Sequence, residues 1–594
     1  MDSEVAPHDA TSAETVPAVN GVRALRHRRM RTLFVASKPS IFLAGLVLAL
    51  LIANVAWLLV NRHSGAMDID EAGYLRISLT DYEALRHGGI SSLASTVVGQ
   101  PTQAPLVPLL SSFAYSVLGR PTFIGAFAVQ LLAYLIVIVA TYSIASLLTN
   151  RWAGLVAAAA VASLPVMIDY THSYSFAVPA AAAATVAIWA ALRSDRMRLK
   201  RFTIVWGIAI GAMLITRTMT IAFLPGFALL AVLHIIGSSQ RKRSLVGVGC
   251  GLVAAIVVAA PWYWAQGHSV WQYLTSFGYG GASAQYGAAR SLFSLTSWLN
   301  SATNNISTFV WLPLAIVLFV GMVALAIGVI IALVQRRLPR PRSVIGSPWF
   351  YLAVVVAEGL LALQSTRNTG SAFLAPMLPA MFVLAVAGLW KIIPKRSRSG
   401  YMALGLATVL CLPSLIAATA FNTAAGQPIA LDVPGLGSVK VIDWRDNYLE
   451  YASAEGELPF TDSSGTNWRH ANDDLLHAID EVVGAFGASP VLFAFDHSLV
   501  NPNTLGWEEL MFHGTSPAIY LLTPPDKGPT GYSAQLGQML GSGHGVVLIC
   551  SDSRGMFAPI LDQTAVRTAT AQSGFRLGRS LSLPDGAAIE IWVR

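Results

Sequence analysis

Charged side chains are scarce in this chain. Only 12% of its 594 residues are Asp, Glu, Lys or Arg, whereas 54% are hydrophobic, and the mean hydropathy is +0.57. A soluble globular protein of this length does not need so apolar a composition, which excludes that class. The apolar residues form repeated runs of about 18–25 residues without strand-like alternation, and such runs predict membrane-spanning α-helices rather than a β-barrel.

Cysteines are few, and we do not expect the beginning of the chain to be a cleavable leader. The three cysteines, Cys250, Cys411 and Cys550, show neither a disulfide framework nor the spacing of a metal site. The beginning of the chain is polar and then basic, without the short apolar core and small-residue cleavage site of a signal peptide. We expect residues 1–38 to form a disordered cytoplasmic tail.

The basic excess belongs to one part of the chain. Residues 425–594 contain nine basic and nineteen acidic residues, a formal charge of −10, so the preceding part carries +18 when the whole chain carries +8. The cations of that part cluster between apolar runs, as is typical of loops on the cytoplasmic face. The charge therefore indicates a membrane topology and not a nucleic-acid partner.

Six basic clusters, from Arg23–Arg31 to Lys391–Arg398, separate the apolar runs. Placing each cluster in the cytoplasm predicts about eleven membrane helices in a cell membrane, with the N-terminus inside and the C-terminal domain outside. The run 203–237 is too long for one span and predicts two helices that turn near Arg217. The predicted spans are 41–60, 123–147, 152–168, 174–192, two within 203–237, 245–264, 307–334, 348–364, 372–392 and 401–421.

Two domains follow from this pattern. Residues 39–424 are predicted to form a transmembrane domain with two long outer loops, 61–122 and 265–305. Residues 425–594 show short apolar runs between turn signals, which predicts an extracytoplasmic α/β domain. Its expected elements are strands at Val439–Ile442, Val491–Phe495, Ile519–Leu522, Val546–Cys550 and Ala588–Val593, and a helix at Asn472–Phe486 with Asn472 as its N-cap.

Acidic residues are rare before residue 425, and those outside the tail fall mainly on the predicted outer face. Asp68, Asp70 and Glu71 come directly after the first span, and Asp169 ends the third. A carboxylate beside an acceptor hydroxyl can take its proton, which is worth about 10²–10⁴ in rate. Carboxylates can also hold a divalent cation, which makes Asp70, Glu71 and Asp169 candidate ligands. The alternative is a solvated acidic loop or a helix N-cap.

Two arginines lie where lipid phosphate could reach them. Arg217 interrupts an apolar stretch, and an arginine near hydrocarbon costs about 2.5–3.5 kcal/mol, so a partner or a function is expected. Arg367, at the outer end of the ninth span, invites the same interpretation. The alternative is an arginine that fixes helix depth. Glu358, about two turns deeper, is equally consistent with a structural ion pair and with a functional role.

Three further residues are candidates for a substrate pocket. His172 and Tyr174 follow Asp169 at a predicted helix end, where polar residues are also ordinary. His268 follows Pro261-Trp262-Tyr263-Trp264 and could bind substrate or metal, although a lone loop histidine more often does neither. In the C-terminal domain, Asp496-His497-Ser498 contains hydrolase residue types, but adjacency in sequence is not triad geometry.

The ordered set of motifs resembles the GT-C superfamily of membrane glycosyltransferases, in particular the bacterial branch with the protein O-mannosyltransferases and the lipid A aminoarabinose transferase. The resemblance spans about Ile41–Trp390. It is carried by Asp70-Glu71 followed by Tyr74, the Pro-Leu-rich stretch Ala104–Gly119, Leu164-Pro165 leading to Asp169, Thr216-Arg217, Pro261-Trp262-Tyr263 and the pattern Arg367–Pro379.

This resemblance implies a polyprenyl-phosphate-dependent enzyme of the GT-C fold. It implies inverting transfer of a sugar from the lipid-linked donor to a glycan, lipid or protein acceptor at the outer face, with membrane lipids as further partners. Asp70 is the expected base, and Arg217 and Arg367 are expected to bind the donor phosphate. Glu71 and Asp169 are further catalytic candidates, and the division of roles between Asp70 and Glu71 stays open. The candidate residues for the substrate pocket are Tyr74, Gln103, His172, Tyr174, His268 and Glu358.

The sequence departs from the family pattern at two places. Gln103-Ala104-Pro105 stands where the family has Lys or His before Pro-Pro, which removes a charge that some members use on phosphate. The arginine near the family's Asp-Glu motif is missing at Ala72 and Gly73, and Arg76 is the candidate to replace it.

Two other classes of protein remain as alternatives. A transporter or flippase for a lipid-linked sugar should place its charges at the midplane of repeat-related helices, whereas here the acids lie in loops. A non-catalytic envelope assembly protein would act through the acidic C-terminal domain.

Overall fold

Long helices form most of the first 418 residues in the computed structural model, and an α/β region follows them. The structure describes residues 38–62, 65–101, 103–280, 283, 290–335, 344–345, 347–367, 372–392, 405, 408–418, 428–443, 462–483, 489–495, 497–512, 514, 518–522, 529–540, 545–551 and 561–594. The predicted cytoplasmic tail lies outside these residues.

The helices of the membrane part begin and end where capping residues and prolines predict. Asp68, Thr122, Asn150 and Ser347 each accept a backbone N–H as the N-cap of a helix. In chain order the helices are α1 Lys38–Asn61, α2 Ile69–Gly99, α3 Leu106–Leu118, α4 Phe123–Leu148, α5 Arg151–Ala162, α6 Pro165–His172, α7 Ala177–Arg193, α8 Lys200–Thr216, α9 Leu224–Ile236, α10 Arg241–Tyr273, α11 Leu295–Asn305, α12 Leu312–Val334, α13 Pro348–Ser365, α14 Leu378–Ile392 and α15 Leu412–Ala418.

Six helical segments in the described residues are long and apolar enough to cross a membrane, and the bent pair α5 and α6 makes a seventh. Three shorter apolar helices, at Leu106–Leu118, Ala177–Arg193 and Leu378–Trp390, join them. The chain is therefore a multi-pass membrane protein. The total of eleven spans and the direction of the termini stay predictions, and of the predicted span 401–421 the structure describes residues 405 and 408–418.

Two predicted spans differ from the observed helices. The span predicted at 152–168 is broken near Leu164, because Pro165 starts a new helix, and α5 and α6 meet at 54°. The span predicted at 245–264 continues to Tyr273, so the segment expected as an outer loop begins as helix. Two side chains of α10 hold this end of the helix on α2 and the residue after it. Trp262 Nε1, inside the predicted span, donates to the carbonyl of Gln100, and Gln266 Nε2, in the added turns, donates to that of Val98.

The predicted pair of helices within 203–237 is confirmed. Helix α8 ends at Thr216, a 3₁₀ turn covers Thr218–Phe223, and α9 follows. Small residues let α8 pack closely on α10, because a Cβ at Gly207 would lie 1.8 Å from the carbonyl oxygen of Gly251.

The C-terminal region is an α/β fold with two sheets. A five-stranded sheet has the order β4-β3-β5-β7-β6, in which β3 is parallel to β4 and β5, and β7 is antiparallel to β5 and β6. The hairpin of β1 and β2 is separate. The elements are β1 Ile429–Val433, β2 Gly437–Ile442, α16 Asp462–Val483, β3 Val491–Phe493, α17 Pro502–Phe512, β4 Ile519–Leu521, α18 Pro529–Leu540, β5 Val546–Cys550, α19 Gln563–Gln572, β6 Arg576–Ser582 and β7 Ala588–Val593.

Asn472 is not the N-cap of its helix, so that prediction is wrong. Helix α16 begins ten residues earlier, and Asn472 lies inside it. Its side-chain amide donates to the carbonyls of Trp468 and Leu499. The residue serves a tertiary contact, which a capping pattern in the sequence cannot distinguish from a helix start.

One hydrophobic core joins the C-terminal region to the first outer loop. It combines Met67 and Leu75 from the loop side with Trp468, Leu505 and Trp507 from α16 and α17. Helix α17 packs directly on α2. The α/β region therefore covers the helix that carries the acidic motif.

Candidate active site

The acidic motif forms the first turn of α2. Asp68 is the N-cap, and its Oδ1 accepts the backbone N–H of Glu71 at 3.3 Å. The partial positive charge of a helix N-terminus stabilises the carboxylates of Asp70 and Glu71 in this turn. The N-cap alternative thus holds for Asp68, and the other two acids have different surroundings.

Glu71 is clamped in the protein interior. Its Oε2 lies 2.6 Å from Arg62 Nη2, and its Oε1 accepts the backbone N–H of Tyr174 at 2.7 Å. Burial raises the pKa of Glu71, while Arg62 and the Tyr174 N–H oppose the rise. Both oxygens of this carboxylate are engaged in holding α1, α2 and the segment before α7 together.

Arg62 is the residue that sequence reasoning missed. It directly follows the first span and, in the predicted topology, lies on the outer side. Cations are uncommon on the outer side by the positive-inside rule, so an arginine directly after the first span was the signal in the sequence that could have identified Arg62. Its guanidinium also lies over Phe127, 5.4 Å from the ring centroid.

Asp70 shares a polar site with Tyr74, Arg217 and Tyr273. Burial raises the pKa of Tyr74 well above 10, the charge of Asp70 raises it further, and Arg217 lowers it. Asp70 and Arg217 also both act electrostatically on Tyr273. The charges of one carboxylate and one guanidinium therefore act on the same two tyrosines.

Arg217 is buried between two aromatic rings. Its guanidinium carbon lies 3.7 Å from the ring centroid of Phe176 and 3.5 Å from that of Phe373. Arg217 follows the last residue of α8, so the backbone leaves the helix where the side chain enters this position. Ring faces stabilise the cation and fix the plane of the guanidinium.

Tyr174 contacts the acidic turn, and His172, two residues earlier, is buried. Tyr174 donates its hydroxyl to Ser111 Oγ at 2.7 Å, in addition to its backbone contact with Glu71. His172 is fully buried, and its ring stacks on Trp57 with 3.7 Å between centroids. Asp169 is half-buried one turn earlier in α6, where its carbonyl accepts the N–H of Ser173.

Gln103 and Arg76 lie along α2. A Cβ added to Gly73 would lie 3.7 Å from Gln103 Nε2, so the amide of Gln103 faces the first turn. Arg76 lies one turn further, against Gly506 of α17. The candidate replacement for the missing family arginine thus contacts the C-terminal region.

The remaining predicted residues lie elsewhere. Arg367 and His268 are exposed, the first just after α13 and the second near the end of α10. Glu358 lies in α13 against Gly226 of α9, where a Cβ on the glycine would meet Glu358 Oε2. None of the contacts in the described residues links these three side chains to Asp70.

His497 belongs to the packing of the C-terminal region. Its ring packs on Trp468, Nδ1 accepts the N–H of Leu499, and Nε2 lies 3.8 Å from Asp585 Oδ2. Asp496 lies outside the described residues. These contacts match those of a buried structural histidine.

The described residues contain no group of three His, Cys, Asp or Glu side chains placed to hold a metal ion. Glu71, a predicted ligand, uses its two oxygens on Arg62 and Tyr174. What the site does provide is the carboxylate of Asp70 and the buried cation of Arg217, whose charges act on the same tyrosine.

Comparison with known proteins identifies one family over part of the chain. The family model for dolichyl-phosphate-mannose-protein mannosyltransferases matches residues 102–264. No curated protein sequence matches the chain.

Solved structures match over nearly the whole chain. The structure of ArnT from Cupriavidus metallidurans bound to undecaprenyl phosphate is 13% identical, with a TM-score of 0.52, and the match covers 94% of this chain and 98% of that one. The Archaeoglobus fulgidus oligosaccharyltransferase tethered to an acceptor peptide is 11% identical, with a TM-score of 0.51, covering 92% and 74%.

The fold defines a class of protein, the multi-pass membrane proteins of the GT-C fold. The predicted resemblance to this superfamily is confirmed. Within it, residues 102–264 resemble the protein mannosyltransferases, and the whole architecture is similar to that of ArnT.

Proposed function

We propose that this protein transfers a sugar from a polyprenyl-phosphate donor to an acceptor hydroxyl or amide at the outer face of the membrane. The observation that carries the proposal is the buried guanidinium of Arg217 between Phe176 and Phe373. The charges of Arg217 and of Asp70 both act on Tyr74 of α2, which is consistent with one site. The family whose model matches is named for a dolichyl-phosphate sugar, and a structure of similar fold holds undecaprenyl phosphate.

Each residue has a role in the proposed reaction. The acceptor oxygen or nitrogen attacks the anomeric carbon from the face opposite the phosphate, and Asp70 takes the proton that the acceptor loses. The bond between the anomeric carbon and the phosphate oxygen breaks, and the polyprenyl phosphate leaves with the bonding electrons. The configuration at the anomeric carbon is inverted.

Arg217 supplies the charge that the leaving phosphate needs. A guanidinium held between Phe176 and Phe373 is preorganised, so it binds the developing phosphate charge without first having to be ordered. Arg367 is proposed as a second phosphate ligand. Tyr74, Gln103, His172, Tyr174, His268 and Glu358 stay candidates for the pocket, with Asp169 as a second carboxylate.

Glu71 is proposed to hold Asp70 in place. Its carboxylate faces Arg62 and a backbone N–H rather than a substrate. A divalent metal at Asp70, Glu71 and Asp169 stays a prediction, and no step of the proposed reaction uses it.

The test is release of polyprenyl phosphate from a lipid-linked sugar by purified protein. We expect wild type to release it. The Asp70→Asn variant should release it about 10²–10⁴-fold more slowly, which is the usual contribution of a general base. Asp432→Asn, at an exposed position in β1, is the matched control and should behave as wild type.

Two outcomes would contradict the proposal. Wild-type rates in Asp70→Asn would remove Asp70 from the mechanism. No release by wild type across several donors would favour a flippase or an assembly protein, and transbilayer movement of a labelled lipid-linked sugar in vesicles would then separate those two.

A further inference from the structure

A side chain of the C-terminal region bonds to the backbone of the acidic turn. Asn503, in the first turn of α17, donates from Nδ2 to the backbone carbonyl of Ile69 at 2.9 Å. Ile69 is the first residue of α2 and directly precedes Asp70. The contact joins residues 434 positions apart in sequence.

We propose that Asn503 is a positioning residue for Asp70, so that the α/β region forms part of the catalytic unit. This inference rests on the proposed function. Asn503 acts through the backbone of α2, and the acceptor and the donor do not need to touch it.

Asn503 is itself held by its neighbours in α17. Asn501 Oδ1 accepts the backbone N–H groups of Asn503 and Thr504, and Thr504 Oγ1 accepts the N–H of Asn501 in return. This reciprocal pair resembles a capping box and fixes the first turn of the helix. Thr504 Oγ1 also donates to Asn472 Oδ1 of α16, which extends the network into the core of the region.

Gly73 makes the approach of Asn503 possible. A Cβ at this position would lie 3.0 Å from Asn503 Nδ2, which is too close for an ordinary contact. Glycine in the first turns of a helix is otherwise unfavourable compared with alanine. Its presence here is explained by the amide that must pass over it to reach Ile69.

The first turn of α2 is therefore held on three sides. Asp68 caps it, Arg62 and Tyr174 hold Glu71, and Asn503 holds the carbonyl before Asp70. Of these contacts, only that of Asn503 comes from the α/β region. A displacement of about 1 Å at a reacting group can cost about 100-fold in rate, so loss of one support should be measurable.

Four full-length variants test the proposal. Asn503→Ala removes the amide that donates to Ile69, and Asn503→Asp keeps the shape of the side chain without the N–H group. Gly73→Ala adds a methyl group on α2 that displaces the amide of Asn503. Gly537→Ala is the matched control, because Gly537 lies in α18 with open space around its Cα.

We expect the first three variants to lose about 10- to 100-fold in kcat for polyprenyl phosphate release, with the KM for the donor nearly unchanged. The double variant G73A/N503A should be no slower than the slower single variant, because both remove one contact. The pH–rate profile should keep its shape, because Asp70 stays the base. The thermal midpoint of G73A should not fall.

Hydrogen exchange gives a readout that does not depend on activity. Amides of the first turn of α2, including that of Ala72, which donates to Asp68, should exchange faster in N503A and G73A and at the wild-type rate in G537A. Unchanged exchange in N503A overturns the positioning role even if no donor is turned over. Where wild type is active, a normal kcat in N503A overturns the positioning role. So does a kcat of the double variant G73A/N503A that is reduced by the product of the two single losses. An inactive wild type with altered exchange contradicts the proposed function alone.

Discussion

Arg62 Nη2 lies 2.6 Å from Glu71 Oε2, and the two side chains are 3% and 1% exposed. This buried ion pair ties the end of α1 to the first turn of α2, one residue from Asp70. An ion pair at this depth is a constraint on geometry more than a source of stability, because desolvation of both charges offsets most of their attraction.

Breaking that pair from one side should be costly. Arg62→Met leaves the Glu71 carboxylate buried without its cation, and we expect the free energy of unfolding to fall by about 3–5 kcal/mol. Thermal denaturation in detergent measures this. The double variant R62M/E71L should recover much of the loss, and a double variant as unstable as R62M would contradict the ion-pair explanation.

Arg217→Lys should weaken donor binding while keeping the charge. Lysine has no planar guanidinium to lie between Phe176 and Phe373, so we expect the KM for the lipid-linked donor to rise about tenfold or more, from the loss of about 1–2 kcal/mol of stacking. Steady-state kinetics with varied donor checks this. Arg201→Lys, which removes a guanidinium from the ring of Phe202, is the control that should not change the KM.

Asp81 should make stability depend on pH. It is fully buried in α2, and neither of its carboxylate oxygens has a hydrogen-bond partner in the described residues. Burial raises its pKa from 3.8 to about 7. The pKa of Asp81 in the unfolded chain is the lower one, so between the two values the folded protein keeps a proton that the unfolded chain has lost. The contribution of Asp81 to the free energy of unfolding is therefore fully present below pH 4 and is lost as the pH rises to about 7.

The free energy of unfolding falls by about 1.4 kcal/mol per pH unit between the two pKa values of Asp81. Asp81→Asn stays neutral and should lack this fall. Thermal midpoints of both proteins at pH 5 and pH 7.5 should show the variant gaining on wild type as pH rises, and parallel behaviour would mean that Asp81 ionises normally.

Gly207→Ala should separate α8 from α10. The added methyl group would meet the carbonyl oxygen of Gly251 at 1.8 Å, so the helices must move apart even though alanine is the better helix former. Loss of folded protein in detergent size-exclusion chromatography is the expected result. Gly249→Ala, on the same helix as Gly251 but in open space, should be tolerated.

Several features of the fold could be predicted because their signals are local. Long apolar runs indicated the membrane helices, and short ones correctly located five of the seven strands. Of the strands in the described residues, β1 and β6 were missed: both are mostly exposed, β1 has only the short apolar run Ile429–Leu431, and β6 has no two apolar residues in succession. Helix α10 extends past its predicted end because α2 and the residue that follows it supply contacts to Trp262 and Gln266.

By itself the sequence determined that this is a multi-pass helical membrane protein with a C-terminal α/β region, and that its acids follow the first span. Those properties depend on composition and on the period of nearby residues. Only the tertiary structure decided how three neighbouring carboxylates differ: Asp68 caps α2, Glu71 pairs with Arg62, and the charge of Asp70 acts on Tyr74 together with that of Arg217. It also placed Asn503 on Ile69. Such contacts join distant segments, and no local pattern specifies which segments will meet.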